Sequence, residues 1–314
     1  MPLKEKLLID RIRRTARGNR SVGTGIGDDC AVLRLPRSHE ALVTTDFSLE
    51  DVHFRREWHP SDSVGHRCLA RGLSDIAAMG GVPRAAFLSL ALPPDLPQKW
   101  VDQFVAGLLK LAKRYSVPLA GGDTAQSPAG ILADIVVLGS APAGKAILRS
   151  GAKPGDLLYV TGALGSSSSA LNRLRDGEKL KPKSHPKHFY PEPRIAIGQF
   201  LREKKLASAM IDISDGLSTD LAHICDESKV GAVVYGNSLP MANGLGDGGL
   251  QLALHGGEEY ELLFTAKPGR RIPKEIGGVP ITRIGEMVRE KQMKLAQPDG
   301  TAMILRSAGW QHFG

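Results

Sequence analysis

The sequence lacks most of the features that would settle its class at a glance. It has three cysteines, Cys30, Cys68 and Cys225, widely spaced and without a CxxC pair. That argues against a disulfide framework or a zinc site, and suits a reducing, cytoplasmic setting. No apolar run approaches the roughly 18 residues that a membrane span needs. The opening MPLKEKLLIDRIRR mixes charges into its apolar positions, so it reads as an amphipathic helix and not as a secretory signal. The net charge is +8, yet there is no dense basic run interleaved with aromatics. Basic residues spread along the chain point away from nucleic acid and leave room for an anionic substrate. A P-loop is missing too. Residues 139–145 nearly match GxxxxGK[ST], but Ala146 has no hydroxyl for magnesium, and Arg149-Ser150-Gly151 follows where a long helix belongs. The glycine-rich lead at 18–27 is not part of a strand-turn-helix unit, so it is no dinucleotide fingerprint. No internal repeat is evident.

What is present is a soluble, mixed composition, 42% apolar and 24% charged, over 314 residues, enough for two domains. Apolar runs at 30–35 and 41–45 read as strands joined by the turn formers PRSHE, a hairpin that would bring Asp28 and Asp29 beside Asp46. A helix follows from Ser61, its N-cap, to about residue 79, with Val64, Cys68, Gly72 and Ile76 as its buried stripe. Asp75 lies in it one turn after Arg71, which on its own is compatible with a plain ion pair on a solvated face. AAFLSLAL is a strand. Residues 98–115 form the clearest amphipathic helix, with Val101, Phe104, Val105, Leu108, Leu111, Ala112 and Tyr115 on one face. VPLA leads into Gly121-Gly122-Asp123-Thr124, and ILADIVVLG closes this half. The order strand, strand, helix, strand, helix, strand, strand predicts an α+β sandwich: a mostly antiparallel sheet with helices on one face.

APAGKAILRSGAKPGD marks a boundary, so the expected domains are 1–145 and 146–314. The second half opens on the strand DLLYVTG and a Gly-Ser-rich turn into a helix, GALGSSSSALNRL, suited to holding an anion. Residues 176–190 read as a basic surface loop. In AMIDISDGLSTDLAHIC a strand at 209–213 meets a helix capped by Ser214 or Asp215. Asp212, inside an apolar strand, needs a partner for its carboxylate. LHGGEEYELLFT is a turn with two glutamates before another strand, and further short strands precede the tail SAGWQHFG. Carboxylates gathered at strand ends repel one another unless a cation sits among them. Magnesium with a nucleotide is the usual occupant, held by a few carboxylates, water and phosphate oxygens.

GIGDDCAVL, VTTDFSLEDVHF, LSDIAAMGG, GGDT, ILRSGAKPGDLLYVTG, IDISDGL and GGEEYELLFT, in this order across nearly the whole chain, resemble the thiamine-monophosphate kinases. These belong to a superfamily that includes aminoimidazole ribonucleotide synthetase. The resemblance implies an N-terminal α+β domain that binds ATP and magnesium and forms a homodimer, with a C-terminal α/β domain. It implies transfer of the ATP γ-phosphoryl group to thiamine phosphate, giving thiamine diphosphate, with several Mg2+ ions and no general base. Carried over motif by motif, the metal positions are Asp29, Thr44, Thr45, Asp46, Asp75, Asp123, Asp212 and Asp215. The ATP positions are Gly122, Asp123, Arg149 and Ser214, and the substrate positions are His53, Glu258 and Trp310. Where the family often has GGEDYE, this chain has Glu258-Glu259. The competing readings are another ATP-using member of the superfamily, such as a purine-ring synthetase, and a basic nucleic-acid binder with no need of the acidic set.

Overall fold

The structure is a computed structural model that describes residues 5–16, 18–26, 30–297 and 301–311. Asp28 and Asp29 lie outside the described residues, so the expected approach of this pair to Asp46 falls there too.

The chain forms two units, the first comprising Met1–Ile76, Gly81–Gly144 and Phe189–Pro191, the second Ala77–Gly80, Lys145–His188 and Glu192–Gly314. In the first, the elements run α1 (Glu5–Thr15), β1 (Val22–Thr24), β2 (Val32–Leu33), β3 (His39–Leu49), α2 (Ser61–Ala78), β4 (Val82–Leu92), α3 (Gln98–Arg114), β5 (Leu119–Gln126) and β6 (Leu132–Pro142). The four long strands make a sheet in the order β3-β6-β4-β5, antiparallel except for β4 and β5, which run parallel. This is the mostly antiparallel sheet expected. The expected hairpin is not formed: β2 pairs with β1, and β3 pairs with β6 along eleven residues, from His39↔Pro142 to Leu49↔Leu132. A two-residue strand cannot compete with a partner of matched length and alternation. Ser61 is the first residue of α2, and its hydroxyl donates to Gln103 Oε1 at 2.9 Å.

Alternation along β3 decides what faces the helices. Leu42 and Ser48 are buried, while Val43 and Phe47 are 65% and 55% exposed on the opposite face. The helix α3 seam is as its spacing predicts, with Val101, Phe104, Val105, Leu108, Leu111 and Ala112 buried. Helix α2 is buried around most of its circumference, including Val64, Cys68, Leu69, Leu73 and Ile76. Phe189–Pro191 belongs to this unit through three hydrogen bonds to α2. Ser63 Oγ donates to Phe189 O at 2.9 Å, His66 Nε2 to Pro191 O at 2.8 Å, and the Tyr190 hydroxyl to Asp62 Oδ2 at 2.9 Å.

The second unit carries β7 (Leu157–Thr161), α4 (Ser166–Arg175), α5 (Pro186–Phe189), α6 (Ile195–Glu203), β8 (Ala209–Asp212), α7 (Leu217–Ser228), β9 (Gly231–Tyr235) and α8 (Gly249–His255). It ends with β10 (Leu262–Ala266), β11 (Glu275–Ile276), β12 (Val279–Val288), β13 (Met293–Ala296) and β14 (Ala302–Ile304). Seven strands run in the order β14-β13-β9-β12-β7-β10-β8, with β11 added beside β12. Leu158, Val160, Ile211, Leu217, Leu221, Ile224 and Leu263 are among its core residues. The segment 176–190 is not simply a surface loop. It ends with His188 and Phe189 buried, and Lys187 is drawn onto the buried Glu261 at 2.8 Å.

Candidate active site

In the first unit the acidic residues fall into two groups. Asp46 and Thr44 sit two apart on β3, so both face α2, which carries Asp75. Thr44 Oγ1 donates to Asp75 Oδ2. Asp46 Oδ2 is buried with no hydrogen-bond partner among the described residues. Burial, and then the charge of Asp75, push the Asp46 carboxyl up from 3.8 to about 7, against the pull of Arg71. Arg71 itself donates to the carbonyl of Phe47 at 2.5 Å. Thr45, between Thr44 and Asp46, points to the other face and donates to Asp134 Oδ1 at 2.7 Å. Its side chain is therefore not brought to Asp46 and Asp75.

Asp123 forms a second location. The register row Asp46↔Ile135↔Leu88↔Gly122 crosses the whole sheet. Three strand spacings separate its ends, about 14 Å. The motif Gly121–Thr124 is not a turn after β5 but part of the strand. Gly122 has φ +149°, and a Cβ there would stand 1.8 Å from the carbonyl oxygen of Leu88, so only glycine lets β5 lie this close to β4. Asp123 is exposed and accepts the Thr124 N–H at 2.8 Å, while Thr124 Oγ1 is buried without a partner among the described residues. A cleft of about 740 Å³ opens here, lined by Ile12, Cys30, Phe87, Gly121 and Asp123 among others.

His53 lies in the turn after β3, where its Nδ1 accepts the backbone N–H of Leu49 at 3.0 Å. That bond leaves the ring hydrogen on Nε2, a donor. In the second unit, Asp212 ends β8 and is buried. The turn from Asp212 to α7 is closed by a residue that sequence reasoning passed over. One oxygen of Asp220 accepts three backbone N–H groups, from Ser214, Asp215 and Gly216, at 3.0–3.1 Å. The N-cap of α7 is Gly216, with φ +122° and no side-chain cap, so neither Ser214 nor Asp215 takes that role. Burial and Asp215 push Asp220 up to about 7, in spite of these three bonds. Asp215, Asp220 and His223 each bring one potential ligand atom within 4.8 Å of the others. The signal for Asp220 was its position three after Leu217 and four before Ile224, on the apolar face of α7.

Arg149 is exposed in a short 3-10 turn, Arg149–Gly151. Trp310 is 47% exposed, and its backbone N–H donates to the Asp215 carbonyl at 2.9 Å, which ties the tail to the β8–α7 turn. Glu258 is half-buried, and its N–H donates to Ser214 O at 2.7 Å. Its neighbour Glu259 fills the anion position expected at the start of α4: Oε1 accepts the N–H groups of Gly165 and Ser167 at 2.9 and 3.0 Å. Glu261 is wholly buried on a bidentate contact from Arg194 and a bond from Lys187. Burial opposes its charge, but these two cations outweigh it and hold the carboxyl below its ordinary range.

Carboxylate and hydroxyl oxygens, one of them a buried carboxylate oxygen with no hydrogen-bond partner among the described residues, are what a hard divalent cation requires. Comparison with known proteins identifies the family. Residues 27–141 match the N-terminal domain of the AIR synthase related proteins, and residues 153–296 match the C-terminal domain. The chain is 40% identical to a thiamine-monophosphate kinase of Salmonella typhimurium, over all of this chain and 99% of that one. It superposes on the thiamine-monophosphate kinase of Stenotrophomonas maltophilia with a TM-score of 0.84 at 34% identity, covering 96% of this chain and 99% of the other. AaThiL complexed with AMPPCP and TMP is similar at TM-score 0.79 and 30% identity, with 99% of each chain covered.

Proposed function

Because the chain belongs to the thiamine-monophosphate kinase family, we propose that it transfers the γ-phosphoryl group of ATP to thiamine phosphate, giving thiamine diphosphate and ADP. The observation that carries this reading is the end-to-end match to enzymes of that name. A relative bound to an ATP analogue and TMP supports the same pair of substrates. We assign magnesium to Asp46 and Asp75 with Thr44, to Asp123, and to Asp212 and Asp215. Thr45 and Asp29 remain in the assigned set on the family motif. Bound there, Mg2+ neutralises charge on the phosphates and fixes the line of attack.

The residues of the chain supply the rest. The acceptor is a phosphate monoester whose second pKa is about 6, so its oxygen is already anionic near neutral pH and no base is needed. The difficulty is repulsion, about 4 kcal/mol for two unit charges 4 Å apart at an effective dielectric of 20. His53 meets the acceptor as an Nε2–H donor, a role that suits an anion. Glu258 and the indole of Trp310 face the cationic, flat thiamine portion. Gly122, Asp123, Arg149 and Ser214 are assigned to ATP. The N-terminal unit carries ATP and metal, and the exposed apolar side chains Val43 and Phe47 on its outer sheet face support a homodimer. Free thiols at Cys30, Cys68 and Cys225 support a cytoplasmic site of action. No helix among the described residues is long and apolar enough to cross a membrane.

The test is ADP formation with thiamine phosphate, free thiamine and a purine-ring precursor offered in parallel. Turnover with thiamine phosphate alone is expected. Equal turnover of thiamine and thiamine phosphate, or turnover of the ribonucleotide alone, overturns the assignment.

A further inference from the structure

The segment from Gly257 to Tyr260 is an unlikely place for a chain to stay put by itself. Glu258 has φ +60° and Tyr260 has φ +52°, both left-handed and neither glycine. Residues with a side chain adopt that region only when their surroundings hold them there. Three things hold this segment. The N–H groups of Glu258 and Tyr260 donate to Ser214 O and Ile213 O, at 2.7 and 2.8 Å. The Tyr260 ring is buried. Between them Glu259 turns inward, 4% exposed. Its Oε1 takes two N–H groups at the start of α4, and Oε2 accepts the Ser166 hydroxyl at 3.4 Å. Gly165, the N-cap there, has φ +89° and no side-chain cap, so Glu259 supplies the cap from 94 residues away in sequence.

We propose that Glu259 is a positioning residue for the acceptor site: by capping α4 it locks the left-handed turn that sets the direction of Glu258. This rests on the reading of Glu258 as a thiamine phosphate contact. It also removes the start of α4 from the candidates for holding a substrate phosphate, because a carboxylate of the chain already occupies those N–H groups. What matters at this position is an acceptor of the right reach. Burial pushes the Glu259 carboxyl up to about 7, against Lys187 and the two N–H groups. One oxygen, Oε1, accepts both N–H groups, so an amide of the same shape, which keeps such an oxygen, serves in its place.

The experiment compares Glu259→Ala, Glu259→Gln and Glu258→Gln, with KM measured for thiamine phosphate and for ATP and the melting temperature followed in each. Glu259→Ala is expected to raise the KM for thiamine phosphate about tenfold while that for ATP moves less than about threefold, and Glu259→Gln to restore both to within about threefold of the parent. A merely structural role would lower the melting temperature and leave the KM of the folded enzyme where it was. Unchanged thiamine phosphate KM in Glu259→Ala, an equal rise for both substrates, or no rescue by Gln overturns the proposal. Glu258→Gln separates the two layers. If it leaves the thiamine phosphate KM unchanged, the contact assignment falls and the positioning role with it. If it raises that KM while Glu259→Ala does not, only the positioning role falls. Should Glu259→Ala fail to fold, Glu259→Asp, which withdraws the carboxylate by one methylene, carries the same KM comparison.

Discussion

Replacing Asp46 by asparagine is expected to stabilise the metal-free protein at pH 8 while abolishing its catalysis. Burial and the neighbouring Asp75 hold the Asp46 carboxyl at about 7 in the folded chain, against 3.8 ordinarily. Between those two values the folded state keeps a proton that the unfolded chain has released. Stability therefore falls as the pH rises from about 4 to about 7 and is level above that. At about 1.36 kcal/mol per pKa unit the full span is about 4 kcal/mol, and residual solvent screening brings it to on the order of 2–4 kcal/mol. Asparagine keeps the shape and carries no charge at any pH, so it escapes this penalty. Thermal melts in EDTA at pH 5 and pH 8 read the effect. The variant should melt about 5–15 °C above the parent at pH 8, and the gap should shrink towards pH 4. Comparing the two proteins isolates Asp46 from Asp220 and Glu259, which are also pushed up to about 7 and titrate in both. Millimolar Mg2+ should raise the parent's melting temperature more than that of the variant, which keeps the positions at Asp123 and at Asp212 and Asp215. A variant that melts below the parent at pH 8 in EDTA, or a gap of the same size at pH 5 and pH 8, would refute the reasoning.

Glu261→Gln should cost about 3–5 kcal/mol in urea unfolding, because it leaves Arg194 and Lys187 without their buried counter-charge. Since Glu261 is held below its ordinary range, that contribution is present at neutral pH and fades in acid, so the gap to the parent should narrow below about pH 4; a gap independent of pH would contradict the ion-pair account. Trp310→Ala should raise the KM for thiamine phosphate about 2- to 30-fold, the equivalent of about 0.5–2 kcal/mol of cation–π attraction, with a smaller change for ATP. An unchanged KM would return Trp310 to a packing role. Gly122→Ala places a methyl group against the Leu88 carbonyl at a left-handed φ, so a lower melting temperature and a raised KM for ATP should appear together. A variant indistinguishable from the parent would mean that β5 can move off β4 without consequence.

Patterns local to one element were legible in the chain, whereas pairings across it were not. The α3 seam follows from the spacing of Val101, Phe104, Val105 and Leu108, and β4 and β6 from their apolar runs. A period of two says which residues share a face but not which strand lies alongside, so β3 was assigned to the nearest run instead of to β6, some 90 residues on. The same period separates Thr45 from Thr44 and Asp46, a distinction that motif matching does not make. Asp220 and Glu259 escaped notice for a related reason. Each satisfies backbone N–H groups, and an orphaned N–H is invisible in a sequence until the fold shows where the helix starts. The strongest clue available was negative: an acid on the apolar face of α7, and an acid two positions before another in a buried strand approach, each needing a partner.

The three residues Phe189–Pro191 bear on how this protein can be dissected. They accept from Ser63 and His66 on α2 and donate to Asp62, yet lie about 45 residues beyond the end of β6. A gene fragment ending at the glycine-rich boundary near Gly144 would encode every strand of the first sheet and still lack the acceptors for two buried donors. Expressed alone, it would start from a deficit that no surface redesign removes. A workable fragment has to carry its own replacement for that tripeptide, grafted by a short linker or added as a peptide in trans. Recombination between relatives faces the same restriction, because a crossover placed in the connection between the two halves of the gene separates α2 from the peptide that completes it.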